Sequence, residues 1–145
     1  MNIFKSKIIE QINTEQFRSE IILYLMKNRC CRQKCNHANY QSNAFLHEHF
    51  DIFKQSINQE LKKDIEKLWV LYAKKGDELI EHWHKHDNRI SCLLYLTDTE
   101  LGTKFENFDI NLKKNSWLVW QEDLLHAPMN GILKQDRITI AGILH

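Results

Sequence analysis

Three histidines in this sequence could bind one metal ion. His82 and His84 sit in Glu81-His82-Trp83-His84-Lys85-His86, and His126 lies far along the chain, just before Ala127-Pro128. In an extended segment alternate side chains share a face, so His82 and His84 point one way and Trp83 the other. Two imidazoles from one strand and a third from a remote one make a facial triad, which leaves coordination positions open for substrate and oxygen. The chain holds eight histidines, and a polar strand end with solvated rings produces the same His-x-His pattern. A shifted pair, His84 with His86, is an alternative register. Glu78 has the strand parity of His82 and His84, and Asp87 closes the segment. Either could add a carboxylate, although a surface carboxylate is the plainer reading of both.

The elements around these residues change character near residue 69. Before it the pattern is helical. Phe17, Ile21, Ile22 and Leu25 recur at helical spacing, with Thr14 as an N-cap and Glu15 in the first turn. Phe50, Phe53, Ile57, Leu61, Ile65 and Leu68 form a second apolar stripe on a helix that is otherwise polar. After residue 69 the apolar runs are short. Residues 69–73, 78–84, 90–97, 103–110, 116–121 and 137–144 read as strands, with Lys75-Gly76-Asp77 as a turn. Two helices followed by about six strands predict an α+β chain, a β-sandwich or barrel with helices packed outside.

Composition narrows the class. The 145 residues suit one domain, residues 1–145, with a mainly helical part over 1–68 and a β core over 69–145. The formal net charge of +1 implies no bulk attraction to nucleic acid or to an anionic membrane. No apolar run approaches a membrane span, and the first residues lack the apolar region of a signal peptide, so a cytoplasmic protein is expected. Cys30, Cys31, Cys35 and Cys92 make no disulfide framework for a chain of this length, and reduced thiols are expected. The helical part could pack on the sheet or mediate a homodimer.

A family resemblance appears along the second half. Trp69-Val-Leu-Tyr-Ala-Lys-Lys-Gly76-Asp77, then His82-Trp-His84 and Ile90-Ser-Cys-Leu-Leu-Tyr-Leu96, resembles the 2-oxoglutarate/Fe(II) oxygenase superfamily. It is most similar to the short, often phage-encoded, prolyl-hydroxylase-like members. Gly102-Thr103 with Phe105, Asn115-Ser-Trp-Leu-Val-Trp120, His126, and Arg137-Ile138-Thr139 continue the likeness in order, and Gln41-Ser42 extends it weakly upstream. The resemblance implies a double-stranded β-helix, of jelly-roll or cupin-like form, with the N-terminal helices packed outside. It implies an Fe(II)- and 2-oxoglutarate-dependent dioxygenase with His82, His84 and His126 as metal ligands. Its substrate would be a small molecule or a side chain, in the host cytoplasm if the chain is phage-encoded. Arg137 would pair with the far carboxylate of 2-oxoglutarate through two parallel hydrogen bonds, and Thr139, on the same strand face, would add a hydroxyl. Tyr72, Tyr95 and Trp120 would line the co-substrate pocket, the phenols within reach of a carboxylate.

The pattern departs from the family at one ligand, because His84 stands where most members carry a carboxylate. Two other readings compete. Gly76, five residues, then His82-x-His84 also fits the first cupin motif, which suits a three-histidine metalloenzyme without 2-oxoglutarate. That motif's later Glu is absent. Separately, Cys30, Cys31, Cys35 and His37, with His47 and His49 nearby, supply thiolates and imidazoles for a zinc-built, non-catalytic binding module. The same residues read equally well as a loop with reduced thiols.

Overall fold

The computed structural model describes residues 1–30, 40–81, 83–84, 88–121 and 124–145. A short strand, β1 (Asn2–Lys5), leads into helices α1 (Lys7–Ile12) and α2 (Glu15–Lys27). Strand β2 (Tyr40–Gln41), a 3-10 turn (Leu46–Glu48), helix α3 (Asp51–Ser56) and a π turn (Ile57–Leu61) follow. The remaining strands are β3 (Ile65–Ala73), β4 (Glu78–Leu79), β5 (Ile90–Tyr95), β6 (Thr103–Phe105), β7 (Asp109–Ile110), β8 (Ser116–Gln121), β9 (His126–Pro128), β10 (Gly131–Ile132) and β11 (Arg137–Leu144).

Side chains start the helices as expected. Thr14 accepts from the Phe17 N–H at 3.1 Å, and Ser6 caps α1 through the Ile9 N–H at 3.0 Å. The second apolar stripe is divided between two kinds of structure. Phe53 and Ile57 are buried on the helix, but Lys62 turns left-handed (φ 57°) and ends it. Ile65 and Leu68 belong instead to β3, whose pairing with β11 overrides a spacing that also fits a helix.

Antiparallel pairing builds a six-stranded sheet in the order β1-β8-β5-β11-β3-β2. Alternation divides its residues between two faces. Leu68, Val70, Cys92, Leu94, Trp117, Ile138, Ile140 and Leu144 pack with Ile9, Ile21, Leu25, Leu46, Phe53 and Ile57 of the helical part, so the two parts of the chain share one core. The other face meets a second layer made of β7-β6-β9 and β10-β4. Phe105 of that layer packs on Leu93, Tyr95, Leu118 and Trp120, and Leu79 packs with Ala73 and Leu133. The two small sheets join through the pairing of His84 with His126, which shares an antiparallel register with Leu79 and Gly131.

Three expectations need correction. The segment 103–110 is a hairpin, closed by the Phe105 N–H on the Phe108 carbonyl at 2.7 Å, not one strand. The segment 78–84 is not continuous strand, since β4 ends at Leu79 and only His84 pairs again among the described residues. The N-terminus begins with a strand, β1, whose four residues are all exposed and carry no amphipathic signal.

Glu60 ties α1 to the π turn. Its carboxylate accepts from the Ser6 and Ser56 hydroxyls, each at 2.6 Å, and from the Lys7 N–H at 2.9 Å. Burial alone would raise this carboxyl, but the hydrogen bonds outweigh it and hold the pKa below the usual range. The stabilisation is therefore fully present above the unfolded pKa, near 4.3, and fades as pH falls through the lower folded value. Glu60→Gln should cost about 2 kcal/mol at pH 7. Urea denaturation should show that gap shrinking toward pH 3, and a gap that stays constant with pH would refute the assignment.

Candidate active site

The inward face of the large sheet and the second layer enclose a cavity of about 710 Å³. That is the size of a site for one or two small molecules. Alternate residues of the central strands form its wall: Lys67, Trp69, Leu71 and Ala73 from β3, and Arg137, Thr139 and Ala141 from β11. His84 and His126 line it from the second layer.

His84 and His126 are an antiparallel, hydrogen-bonded pair. The His84 N–H donates to the His126 carbonyl at 2.8 Å, and the His126 N–H donates back at 3.1 Å. Side chains of such a pair lie side by side on one face. The ring centroids are 5.8 Å apart, inside the limit of about 6.5 Å that bonds of 2.0–2.1 Å to one shared ion allow. His126 is braced by Trp120, edge-on at 5.0 Å, and by Phe105 at 6.0 Å. Its Nδ1 lies 3.3 Å from the Leu124 carbonyl. In the tautomer that donates there, Nε2 is the lone-pair nitrogen, the usual arrangement for a metal-bound histidine.

Arg137 is a buried cation on the cavity wall, only 6% exposed. Its Nε donates to the Leu101 carbonyl at 3.2 Å and its Nη2 to the Tyr95 hydroxyl at 3.5 Å, and the guanidinium lies 5.2 Å from the Tyr95 ring centre. No carboxylate of the described residues forms an ion pair with it. Thr139, two residues on, is fully buried, and its Oγ1 has no hydrogen-bond partner. A buried cation with neutral partners, and an orphaned hydroxyl two residues along the same strand, leave donors that an anionic ligand could use.

The other expected residues divide. Tyr72 lines the cavity and stacks on Tyr40 with ring centres 6.2 Å apart. Its hydroxyl donates to the Asp136 carboxylate at 3.5 Å, and burial first, then that carboxylate, pushes the phenol pKa up. Trp120 also lines the wall. Tyr95 is not among the lining residues; fully buried, it supports Arg137 from behind and bonds Thr103 Oγ1 at 2.7 Å. Glu78 is exposed, and the alternation breaks between Leu79 and Ile80, which both line the cavity, so Glu78 lies off the face that carries His84.

His82, His86 and Asp87 lie outside the described residues, as do Cys31, Cys35 and His37 of the thiol cluster. Among the described residues no three ligand-type side chains gather at one point; of the three expected ligands the structure brings together the pair His84 and His126. Cys30 is on the cavity wall, and Cys92 is buried with its thiol pushed far above the usual range by desolvation. Lys67, Ser91 and Thr103 line the cavity too. Only their alternate positions on the strands could have marked them.

Comparison with solved structures follows this geometry. The viral collagen prolyl hydroxylase of Paramecium bursaria Chlorella virus-1, in its 2OG complex, matches with a TM-score of 0.65 and 14% identity, over 99% of this chain and 93% of that one. HygX from Streptomyces hygroscopicus, with nickel and 2-oxoglutarate bound, matches at 0.69 and 14%, over 98% and 81%. A Pseudomonas putida prolyl-4-hydroxylase matches at 0.61 and 11%, over 99% and 91%. The fold is that of the 2-oxoglutarate-dependent oxygenases. No protein-family model matches the sequence, and no curated protein does. Within this oxygenase fold no helix of the described residues is long and apolar enough to cross a membrane.

The orphaned hydroxyl gives a test that needs no ligand. Thr139→Val should leave the ligand-free protein as stable as the wild type or raise its stability by up to about 1 kcal/mol, because a buried unpaired group is removed. Thermal unfolding checks this. A clear loss of stability would mean that the hydroxyl has a protein partner.

Proposed function

We propose that this chain is an Fe(II)- and 2-oxoglutarate-dependent oxygenase built on a double-stranded β-helix. The observation that carries the reading is Arg137, a buried guanidinium with no carboxylate partner among the described residues, in the same cavity as the paired His84 and His126. Removing a cation from water is costly unless a counter-charge replaces the lost hydration. A dicarboxylate that reaches from the histidines to Arg137 would supply one. The pairing of Glu78 and Leu79 with Ile132 and Gly131, and of His84 with His126, flanked by β6, supports a second layer that completes the β-helix.

On this reading His82, His84 and His126 hold the ion. His82 is assigned by its spacing from His84 alone. Bound Fe(II) would supply the oxygen chemistry of R–H + O2 + 2-oxoglutarate → R–OH + succinate + CO2. The protein's own part is binding and orientation. Arg137 grips the far carboxylate through parallel N–H donors, and Thr139 Oγ1 adds a third. Arg137 donates to the Tyr95 oxygen, so the Tyr95 proton is left for Thr103, which holds the phenol in place as a positioning residue. Tyr72, whose hydroxyl donates to Asp136 at 3.5 Å, contributes its ring to the cavity wall, and Trp120 with Phe105 keeps water from one side of His126. Three neutral imidazoles leave the centre one unit more positive than the common two-histidine, one-carboxylate set, which favours anionic ligands. The unpaired thiols of Cys30 and Cys92 accord with a cytoplasmic setting.

Anaerobic titration of the protein with Fe(II) and 2-oxoglutarate tests this directly. A metal-to-ligand charge-transfer band should appear in the wild type and vanish in His82→Ala and His126→Ala. Arg137→Ala should keep the metal but bind 2-oxoglutarate about 100-fold more weakly. Normal co-substrate binding by Arg137→Ala would overturn the assignment.

A further inference from the structure

The cavity has a second polar station, at the end opposite Arg137. Ser91 and Trp120 are directly opposed in the β5–β8 register, and Ser91 pairs across β11 with Ile143, which pairs with Lys67. This row lies four residues along β5 from Tyr95, the partner of Thr139, a distance of about 13 Å. Ser91 is 2% exposed and Trp120 4%, both line the cavity, and Ser91 Oγ and Trp120 Nε1 are buried without a hydrogen-bond partner. Lys67, exposed, stands at the end of the same row and also lines the cavity.

The two stations differ in what they can bind. An indole N–H donates only and a serine hydroxyl can donate, so this end offers two buried donors and an ammonium group. The charge of the wall points the same way. The chain carries 19 acidic and 20 basic residues, yet the described residues lining the cavity include Lys67 and Arg137 and no Asp or Glu. Between the two stations the wall is apolar, with Trp69, Leu71, Leu93 and Ala141.

We propose that Lys67, Ser91 and Trp120 form a subsite for the carboxylate of the molecule being oxidised, so that the substrate is a small organic acid with an apolar stem. The inference rests on the oxygenase reading, in which the Arg137 end is taken by 2-oxoglutarate. The acid group binds at the Trp120 row, beside His126, which Trp120 touches edge-on. A carbon of the apolar stem then lies next to the histidine pair, where the C–H to be oxidised must be.

The indole N–H signals of the four tryptophans test this without relying on turnover. The protein is loaded with Zn(II) and saturating 2-oxoglutarate, and the Trp120 signal is assigned by its absence in Trp120→Phe. Butyrate, hexanoate and octanoate are titrated beside their primary amides. A carboxylate should move the Trp120 signal saturably, the matching amide should not, and Trp83 and Trp117 should stay still. Ser91→Ala and Lys67→Ala should each weaken the response about 5-fold, and Arg137→Ala should retain it. If the Fe(II)–2-oxoglutarate band forms but no carboxylate moves Trp120 more than its amide, the subsite is wrong and the oxygenase reading stands. If Trp120 responds while that band is absent, the acid site stands and the oxygenase reading falls.

Discussion

The charge on Arg137 is the constraint to which the rest of the site answers. A guanidinium at 6% exposure, held by one carbonyl, one phenol and an aromatic face, has given up hydration that neutral partners replace only in part. Such a residue persists where the surrounding structure fixes it. The strand β11 provides that fixing. It is paired on both edges, Arg137 with Ala73 on β3 and Thr139 with Leu71 and Tyr95. A slip of one residue would turn Ile138 and Ile140 out of the core and bury Arg137 among the helices. The apolar face that grips the helices is therefore what directs the cation into the cavity.

The opposing layer obeys a looser rule. Its strands are two or three residues long, and its alternation breaks between Leu79 and Ile80. What survives is the pairing of His84 with His126, through two backbone hydrogen bonds, and the brace of Trp120 and Phe105 on the second ring. Regular strand register places Arg137 and Thr139, whereas one isolated backbone pair and aromatic packing place His84 and His126. The layer needs room between its strands and the sheet, and Gly102 shows how closely its own strands meet, since a β-carbon there would lie 2.1 Å from the Ile110 carbonyl oxygen.

Much of this was legible in the residues, for identifiable reasons. The alternation of Arg137-Ile138-Thr139-Ile140 defined both β11 and its two faces, and the segment 116–121 was read with its true bounds. His84, His126, Arg137, Thr139, Tyr72 and Trp120, picked from the chain, line one cavity. Ile65 and Leu68 were misread because spacings of three and four residues suit a helix, and only the distant β11 decides otherwise. The strand β1 escaped notice because it lies exposed at the sheet edge. Ser91 and Lys67 were invisible for a related reason. Their significance comes from being neighbours of Ile143 across the sheet, and register between remote strands is not written in local sequence.

On the oxygenase reading, the balance of charge offers an account of His84, which stands where the resemblance leads one to expect a carboxylate. On the oxygenase reading a divalent ion, Arg137 and Lys67 place four positive charges along one cavity, and the described wall supplies no acid to offset them. A carboxylate ligand would reduce that total before any co-substrate arrived. With imidazoles alone the neutralisation is left to the ligands, two negative charges from 2-oxoglutarate and one from an acidic substrate. In a site of reduced dielectric, opposite charges a few ångströms apart are worth several kcal/mol even at an effective constant near 20. Each anion that enters therefore finds the field stronger for lacking a protein carboxylate. On that reading the imidazole of His84 and the absence of acid from the described wall express one property: a cavity whose binding strength is reserved for what it must bind.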